Sequence, residues 1–451
     1  MSDVRELPYQ HDPLPMLERL RPLGRAVLLH SADRAHPDAR FDVLAAAPTA
    51  WLTSREGRTT AGDGRRSWNT PGPPLALLDR WLAATTPAEL PHPELPFAGG
   101  VIGLAGYDFA RQLEVWPARR LPPAPFPDLV AGLYPWAVVI DHMEQRTWLI
   151  GLAGTPLPDD QELVPGHDAK AQASPSCGAP RLLCDVDGER YREAFERVQA
   201  YISAGDCYQV NLAVRFSGDF HGDALALYRA LVQRHPAPFA GFMETPEGAV
   251  LSFSPERFLK ASGGILETCP IKGTRPRGRD PIEDARQADA LRYSAKDRAE
   301  NLMIVDLLRN DLGRSCIPGS IEVPSLFDLE SFGSVHHLVS RVRGRLAPDV
   351  TPLEAFARAF PGGSITGAPK IRAMEIIEEL EAHARGPYCG SLFMADGRGR
   401  MDASITIRSM LYHGGRLYCW GGGGLVADSH VADEWAEIHH KVGALIGLPQ
   451  E

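Results

Sequence analysis

Three short motifs lie close together in the middle of the chain: SPERF at 254–258, PIKGT at 270–274 and SAKDRAEN at 294–301. In the third motif and beyond it, the spacing of Asp297, Glu300, Ile304 and Leu307 predicts a helix with these residues on one face. Two carboxylates are then in line with an apolar stripe that faces the interior. Burial of carboxylates costs free energy unless a cation meets them. The segment therefore predicts either a cation-binding pair or a solvated first turn whose acids interact with the helix dipole.

A second predicted helix, near the C-terminus, has the same pattern. Glu434, Glu437 and Lys441 are three and four residues apart, which places them on one helical face. Two helices with paired carboxylates could supply oxygen ligands for Mg²⁺, which takes few carboxylates, keeps several waters and often bridges to an anionic substrate. The glycine run 421–424 would let backbone N–H groups approach an anion closely. The alternative for this run is a mobile loop.

These motifs resemble those of the chorismate-utilising enzymes. Further matching segments run from about residue 190 to 445: QVNL at 209–212, VHHLVS at 335–340, PGGSITGAPK at 361–370, RGPYCG at 385–390 and TIR at 406–408. Their number and order identify the chain as a member of this family. The resemblance implies an α/β fold of the α+β type, with a two-sheet β sandwich as its core and helices packed outside.

The resemblance also implies a reaction. Chorismate is a dicarboxylate with a hydroxyl at C4 of a cyclohexadiene ring, and hydroxide departs only when it is protonated or helped by a Lewis acid. Glu256 matches the general acid of the family. Lys272 matches the lysine of members that aminate the ring para to its carboxylate, where it forms an adduct at C2 before ammonia adds at C4. Anthranilate synthases, which aminate the ortho position, have alanine there and are the runner-up.

Ligands for the metal and the substrate are implied in the same way. Mg²⁺ would be held, in part through water, by the carboxylates of Asp297, Glu300, Glu434 and Glu437. Contacts with the substrate are implied for a larger set: Thr274, His337, Gly367, Tyr388, Arg408, Gly422, Gly423, Gly424 and Lys441. An arginine can grip a carboxylate through two parallel hydrogen bonds. For His337, a buried structural histidine is the alternative.

Two departures from related proteins narrow the function further. Gln209 stands where the water-adding members have a lysine that acts as general base, which argues against isochorismate and salicylate synthesis. No segment resembles the cysteine elbow of a class I glutaminase, so ammonia from glutamine would require a separate amidotransferase subunit. A non-catalytic metabolite-binding subunit is an alternative of a different class, and the intact Glu256 and Lys272 weigh against it.

The N-terminal part predicts a second pocket. Residues 1–152 resemble the N-terminal region of anthranilate synthases, residues 153–181 form a linker or exposed loop rich in Pro, Ala, Gly and Ser, and residues 182–451 form the chorismate-binding region. In anthranilate synthases the related segment contributes to a tryptophan-binding pocket. The matching residues here are His30, Ser31, Pro238 and Phe239. They predict either an amino-acid pocket or a packed remnant of one.

Composition excludes several classes of protein. The net charge of −10 argues against non-specific binding to nucleic acid. No run approaches the ~20 apolar residues that span a bilayer, and the N-terminus lacks the pattern of a signal peptide. Seven scattered cysteines without a CxxC pair favour reduced thiols in a cytoplasm and argue against a zinc site. The expected partners are chorismate, ammonia and the amidotransferase, with neither nucleic acid nor membrane.

The hydrophobic pattern also predicts individual elements. Helices are expected over about 283–310, 352–359, 368–381 and 431–446. The apolar run 404–411 predicts a single strand.

Overall fold

The computed structural model describes residues 3–87, 89–116, 121–122, 124–164, 180–332 and 335–446. Within these residues lie ten α-helices: Leu14–Leu20 (α1), Pro74–Ala83 (α2), Asp160–Leu163 (α3), Gly188–Ser203 (α4), Ala224–Arg234 (α5), Pro281–Arg292 (α6), Ala295–Gly313 (α7), Pro352–Ala359 (α8), Lys370–Leu380 (α9) and Val431–Ile446 (α10).

The described residues also form 24 strands. The first twelve are Val4–Leu7 (β1), Val27–His30 (β2), Phe41–Ala45 (β3), Ala50–Arg55 (β4), Arg58–Gly62 (β5), Ser67–Thr70 (β6), Gly100–Ala105 (β7), Leu129–Tyr134 (β8), Trp136–Asp141 (β9), Arg146–Gly151 (β10), Leu183–Cys184 (β11) and Gln209–Asp219 (β12). The others are Phe239–Thr245 (β13), Gly248–Ser254 (β14), Arg257–Ser262 (β15), Ile265–Thr268 (β16), Ile271–Pro276 (β17), Glu322–Phe332 (β18), Val335–Arg345 (β19), Gly367–Ala368 (β20), Ser391–Asp396 (β21), Arg400–Ile405 (β22), Ser409–His413 (β23) and Arg416–Leu425 (β24).

These strands build two antiparallel sheets of twelve strands each. The first sheet has the order β1-β10-β9-β3-β2-β13-β14-β23-β24-β12-β11, with β20 on β12. The second has the order β17-β19-β16-β15-β22-β21-β7-β8-β4-β5-β6, with β18 on β19. A Cβ added to Gly241 in β13 would lie 2.4 Å from Leu392 Cδ2 in β21, so the two sheets pack face to face. Buried apolar side chains of both sheets join in one core, and this confirms the predicted two-sheet sandwich with flanking helices.

Both of the long regions named from sequence contribute to both sheets. Strand β2 pairs with β13 in the first sheet, and β7 pairs with β21 in the second. The division at residues 152 and 182 stays a prediction about the sequence. In the structure, strands of the two regions pair with one another. Part of the predicted linker, residues 165–179, lies outside the described residues. Its first part contains α3, where Leu163 is fully buried.

Two predicted elements are each divided in the structure. The helix expected over 283–310 is α6 followed by α7, because Ser294 starts a new helix by accepting a hydrogen bond from the backbone N–H of Asp297. The strand expected over 404–411 is β22 followed by β23. Strand β22 belongs to the second sheet and β23 to the first, and Arg408 between them has a φ of +49°. The apolar run conceals a crossing from one sheet to the other.

The described residues contain no helix that is both long and apolar enough to span a membrane.

Candidate active site

Glu256 lies where the chain crosses between the two sheets. Strand β14 of the first sheet ends at Ser254, and β15 of the second begins at Arg257. The crossing at residues 406–408 is adjacent, because the backbone N–H of Ile405 donates to the carbonyl of Glu256 at 3.0 Å. The N–H of Phe253 likewise donates to the carbonyl of Arg408 at 3.1 Å. Two predicted site residues, Glu256 and Arg408, are therefore brought together by paired crossings.

The carboxyl group of Glu256 is held in a buried position. The residue is 8% exposed, and Ser364 Oγ donates a hydrogen bond to its Oε1 at 2.8 Å. Burial raises the pKa of Glu256, while the charge of Lys272 and the bond from Ser364 act in the opposite direction. A carboxyl group with a raised pKa retains its proton closer to neutral pH, which a general acid requires.

Lys272, in β17, bonds to the same residue, Ser364. A β-bulge between Lys272 and Thr274 interrupts the pairing with β19, and Gly273 at the bulge has a φ of +80°, which glycine adopts without strain. The amine Nζ donates to the carbonyl of Ser364 at 3.4 Å. Burial lowers the pKa of Lys272, and the charges of Glu256 and Glu300 oppose this shift. A lysine with a lowered pKa has more of its amine in the neutral, nucleophilic form.

Ser364 is a site residue to which the sequence assigned no role. It lies in a short 3-10 turn, Gly363–Ile365, and is 7% exposed. Gly363 lies against α7, because a Cβ added there would be 2.5 Å from Leu307 Cδ2. The motif PGGSITGAPK contains this serine, but only the structure shows that both Glu256 and Lys272 bond to it.

A buried ion pair fixes the far side of this turn. Arg385 is 1% exposed and bonds to the carboxylate of Glu381 at 2.6 Å. The same guanidinium donates to the carbonyl of Ile365 at 3.0 Å and to that of Asn211 at 2.6 Å. This pair joins the turn that carries Ser364 to strand β12. Glu381 and Arg385 are four residues apart, a spacing that favours ion pairs within a helix. Here both residues follow the end of α9 at Leu380.

Thr274, His337 and Arg408 form a second group beside the bulge. Thr274 Oγ1 and His337 Nδ1 share a hydrogen bond of 2.9 Å. Burial lowers the pKa of His337 to about 4, and the charge of Arg408 adds to the shift. The imidazole is therefore neutral around pH 7. No carboxylate among the described residues forms an ion pair with Arg408, so its guanidinium is available to an anionic ligand.

The glycine run forms part of β24 and is not a loop. A Cβ added to Gly422 would lie 2.9 Å from the hydroxyl oxygen of Tyr388, and one added to Gly423 would lie 2.5 Å from Glu434 Oε2. These glycines allow close approach on both faces of the strand. Residue Gly424 pairs with Asn211. Gly367, with a φ of +146°, has the Gln209 backbone against it, and this accounts for glycine there without a ligand.

Each acidic residue of the predicted metal site has a polar neighbour. Asp297 pairs with Arg275 at 3.0 Å, Ser429 Oγ donates to Glu434 at 2.7 Å, and Glu437 pairs with Lys441 at 2.7 Å. Lys441 also donates to the carbonyl of Gly422 at 3.1 Å. Glu300 lies close enough to Lys272 and Lys296 for their charges to affect its pKa.

The fit of a cation to these residues can be judged from their chemistry. Within the described part of the chain, no three acidic, histidine or cysteine side chains are close enough together to hold a metal ion. The donors are nevertheless carboxylate oxygens, which Mg²⁺ prefers. Burial raises the pKa of both Glu300 and Glu434, and a nearby divalent cation would favour their ionised forms. The type of donor fits Mg²⁺.

The four residues of the predicted N-terminal pocket line one cavity. His30, Ser31, Pro238 and Phe239 surround a space of about 530 Å³. The guanidinium of Arg257 lies 4.7 Å from the centre of the Phe239 ring. The structure therefore has an open cavity here and not a packed remnant. That an amino acid occupies it stays a prediction.

The chain is similar to several known proteins over most of its length. The family model for chorismate binding enzymes matches residues 28–447. The chain is 45% identical to aminodeoxychorismate synthase component 1 of Klebsiella aerogenes, with 93% of each chain covered. It is 38% identical to anthranilate synthase component 1 of Thermus thermophilus, covering 93% of this chain and 91% of that one. The crystal structure of anthranilate synthase component I from Streptococcus pneumoniae superposes with a TM-score of 0.77 at 29% identity, covering 92% of this chain and 93% of that chain.

Proposed function

The chain belongs to the chorismate-binding enzyme family, and we propose that it is component 1 of an aminodeoxychorismate synthase, which converts chorismate and ammonia to 4-amino-4-deoxychorismate. The observation that carries this proposal is the meeting of Glu256 and Lys272 at Ser364. A carboxyl group and an amine thereby bond to one turn, which supports the roles of acid and nucleophile. The relatives with 42–45% identity over nearly the full length have the same function in their names.

The electrostatics of this pair suit the reaction. Burial raises the pKa of Glu256 and lowers that of Lys272, so both shifts favour a protonated carboxyl next to a neutral amine. That neutral pair is the reactive form, because the acid has a proton to give and the amine has a free electron pair. Exclusion of water by a bound substrate would favour it further.

The reaction proceeds in two displacements. In the first, the Lys272 nitrogen forms a bond to C2, the two ring double bonds shift, and the C4–O bond breaks while Glu256 protonates the departing oxygen, which leaves as water. The nitrogen of the adduct then loses a proton, which the Glu256 carboxylate can accept. In the second, ammonia forms a bond to C4, the double bonds shift back and the C2–N bond breaks. The departing Lys272 nitrogen takes a proton from Glu256, and the new C4 nitrogen gives its extra proton to the Glu256 carboxylate. The net change is the replacement of hydroxyl by amine, with release of one water.

The surrounding groups suit a dicarboxylate. Arg408 has no carboxylate partner among the described residues and can bind one in a bidentate manner. Lys441 and the backbone of Gly422–Gly424 provide further donors on the strand side. Thr274 and neutral His337 supply hydrogen-bonding groups that add no charge. These contacts would orient the ring with C2 towards Lys272.

A magnesium ion completes the proposed site. Glu300 and Glu437, with Asp297 and Glu434 in the same set, would hold it directly or through water. When bound, Mg²⁺ would supply positive charge to anchor the ring carboxylate. The partly buried carboxyl groups of Glu300 and Glu434 support its inclusion, because burial raises the pKa of each and a cation beside them would offset that cost.

The source of ammonia is also part of the proposal. We expect a separate glutamine amidotransferase subunit to deliver it, as "component 1" in the names of the relatives suggests a second component. The product would feed the formation of para-aminobenzoate and folate in the cytoplasm.

Identification of the product tests the function. The purified chain is incubated with chorismate, Mg²⁺ and an ammonium salt, and the products are separated and identified by mass spectrometry. We expect 4-amino-4-deoxychorismate. Anthranilate as the main product would instead show the ortho-aminating activity, and unchanged chorismate would favour a non-catalytic role. Omission of the ammonium salt is the matched control and should leave no aminated product.

A further inference from the structure

Ser364 makes one bond to each member of the reacting pair. Its hydroxyl donates to Glu256 Oε1 at 2.8 Å, and its backbone carbonyl accepts from Lys272 Nζ at 3.4 Å. Within the described part of the chain, the hydroxyl has no other acceptor and Glu256 Oε2 has no hydrogen-bond donor. The two oxygens of the Glu256 carboxyl group are therefore not equivalent.

This difference decides which oxygen can act as the acid. Oε1 accepts the serine proton and is occupied on that side, whereas Oε2 has no such bond and can carry the acidic proton. We propose that Ser364 is a positioning residue: its hydroxyl fixes Oε1 as the acceptor, so that Oε2 delivers the proton to the C4 oxygen, while its carbonyl keeps the Lys272 amine beside the carboxyl group. The inference rests on the proposed function and adds a residue to its machinery.

The residues on either side of Ser364 are held by contacts with other segments. The carbonyl of the next residue, Ile365, accepts from the buried guanidinium of Arg385 at 3.0 Å. On the other side, Gly363 lies against Leu307 of α7. With both neighbours fixed, the backbone of Ser364 is held in place and its hydroxyl can move only by rotation about χ1. The turn therefore offers the Glu256 carboxyl group a donor at a defined position.

The serine also affects the strength of the acid. A hydrogen bond to a carboxylate is stronger than one to a neutral carboxyl group, so Ser364 stabilises the state that follows proton transfer. Its removal should raise the pKa of Glu256 further, because the bond from Ser364 now lowers it. The variant acid would be weaker, but it would stay protonated to a higher pH.

The test compares Ser364→Ala and Ser364→Thr with the wild type. Steady-state kcat and KM for chorismate are measured at saturating ammonium salt over a series of pH values. Each variant kcat is divided by the wild-type kcat at the same pH, because the concentration of free ammonia changes with pH equally for every enzyme. For Ser364→Ala we expect kcat to fall by about 10- to 100-fold, which corresponds to the loss of one hydrogen bond to a charged group. KM should change little, and the kcat ratio should rise with pH. Ser364→Thr, which keeps the hydroxyl, should recover most of the activity.

A matched control removes the same kind of bond elsewhere. Ser217 is buried and its Oγ donates to the carboxylate of Asp185 at 2.7 Å, far along β12 from the site. Ser217→Ala should leave kcat and its pH profile unchanged. Thermal melting of each variant shows whether it is folded.

The outcomes separate this inference from the function on which it rests. If the wild type makes 4-amino-4-deoxychorismate and Ser364→Ala has the wild-type kcat, or a loss in kcat that is constant with pH, the positioning role is wrong and the function stands. A change in KM with an unchanged kcat would also overturn the positioning role. If the wild type makes no aminated product, the proposed function fails and the role of Ser364 fails with it.

Discussion

Glu256 and Lys272 oppose each other's pKa shift while both bond to Ser364. Burial favours the neutral form of each, and the charge of either one favours the charged form of the other. The protonation states of the two groups are therefore linked, and a change in one alters the other. Variants of these two residues should be strongly non-additive, as expected for side chains that act as a unit.

The first prediction concerns the acid. Glu256→Gln keeps the shape of the side chain and an oxygen that can accept from Ser364, but it has no acidic proton. We expect kcat to fall by about 10²- to 10⁴-fold, the usual contribution of general acid catalysis, with little change in the KM for chorismate. Glu267→Gln, at a partly buried glutamate that pairs with Arg341, is the control and should keep its activity. A Glu256→Gln rate within a few-fold of the wild type would exclude this glutamate as the acid.

The second prediction concerns His337 and stability against pH. The folded-state pKa is about 4, against an ordinary value of 6.5. Between these values the unfolded chain binds a proton that the folded chain does not, so His337 makes the protein less stable as the pH falls from about 6.5 to about 4. His337→Gln should flatten the loss in melting temperature over this range.

An exposed histidine provides the comparison for this measurement. His221 is exposed, and His221→Gln should leave the pH dependence of the melting temperature as it is in the wild type. If His337→Gln behaves in the same way as His221→Gln, the imidazole is not held neutral by burial.

The sequence was sufficient for the fold class, because the resemblance to the family rests on short motifs with local signals. The roles of Glu256 as acid and Lys272 as nucleophile stay predictions. The helix start at Ser294 also has a local signal, a serine that caps and an acid three residues later. The expected single helix over 283–310 was wrong because its apolar spacing continued across that start.

Other features depend on contacts between distant segments, which local patterns do not reveal. The crossing at residues 406–408 looks like continuous strand in the sequence, since β-branched and apolar residues lie both before and after Arg408. The role of Ser364 depends on two side chains from distant segments, Glu256 and Lys272. The pairing of β2 with β13 and the cavity beside it likewise join segments that are about 200 residues apart.

The third prediction concerns the metal. Glu300→Gln or Glu437→Gln should abolish turnover and weaken Mg²⁺-dependent binding of chorismate, which isothermal titration can measure with and without the metal. Glu300→Gln should also stabilise the metal-free protein slightly, because it removes a carboxylate that is costly to bury and lies near Asp297. Glu322→Gln, at an exposed pair with Arg343, should change neither property. Full activity of EDTA-treated wild type would contradict the assignment of Mg²⁺.

The fourth prediction concerns the nitrogen donor. The sequence lacks the Gly-x-Cys-x-Gly-x-Gln nucleophile motif of a class I glutaminase. Alone, the chain should therefore use ammonium salts at alkaline pH, where free NH₃ is appreciable, and should not use glutamine. Addition of the cognate amidotransferase should make glutamine a substrate. The measurement is formation of aminated product with glutamine as the sole nitrogen source. Turnover of glutamine by the pure single chain would contradict this prediction.

The last prediction concerns Lys272, which separates para from ortho amination. A covalent adduct divides one difficult displacement into two easier ones, and both steps need the lysine amine. Lys272→Ala should therefore lose most 4-amino-4-deoxychorismate synthesis. It also leaves space beside C2 and recreates the alanine of the ortho-aminating relatives, so a trace of C2-substituted product is expected. Lys272→Arg keeps a positive charge near Glu256 but should be as inactive as Lys272→Ala, since a guanidinium stays protonated and is no nucleophile.

The decisive measurement is mass spectrometry of the wild type with chorismate and no ammonia, in search of an adduct on the peptide that contains residues 270–274. The peptide that contains Lys370 is the control in the same sample, because Lys370 is also partly buried but bonds to Asp311 at 2.7 Å and should carry no adduct. If no adduct is trapped and Lys272→Ala retains full para amination, the lysine selects the product by its size or charge and forms no bond to the ring.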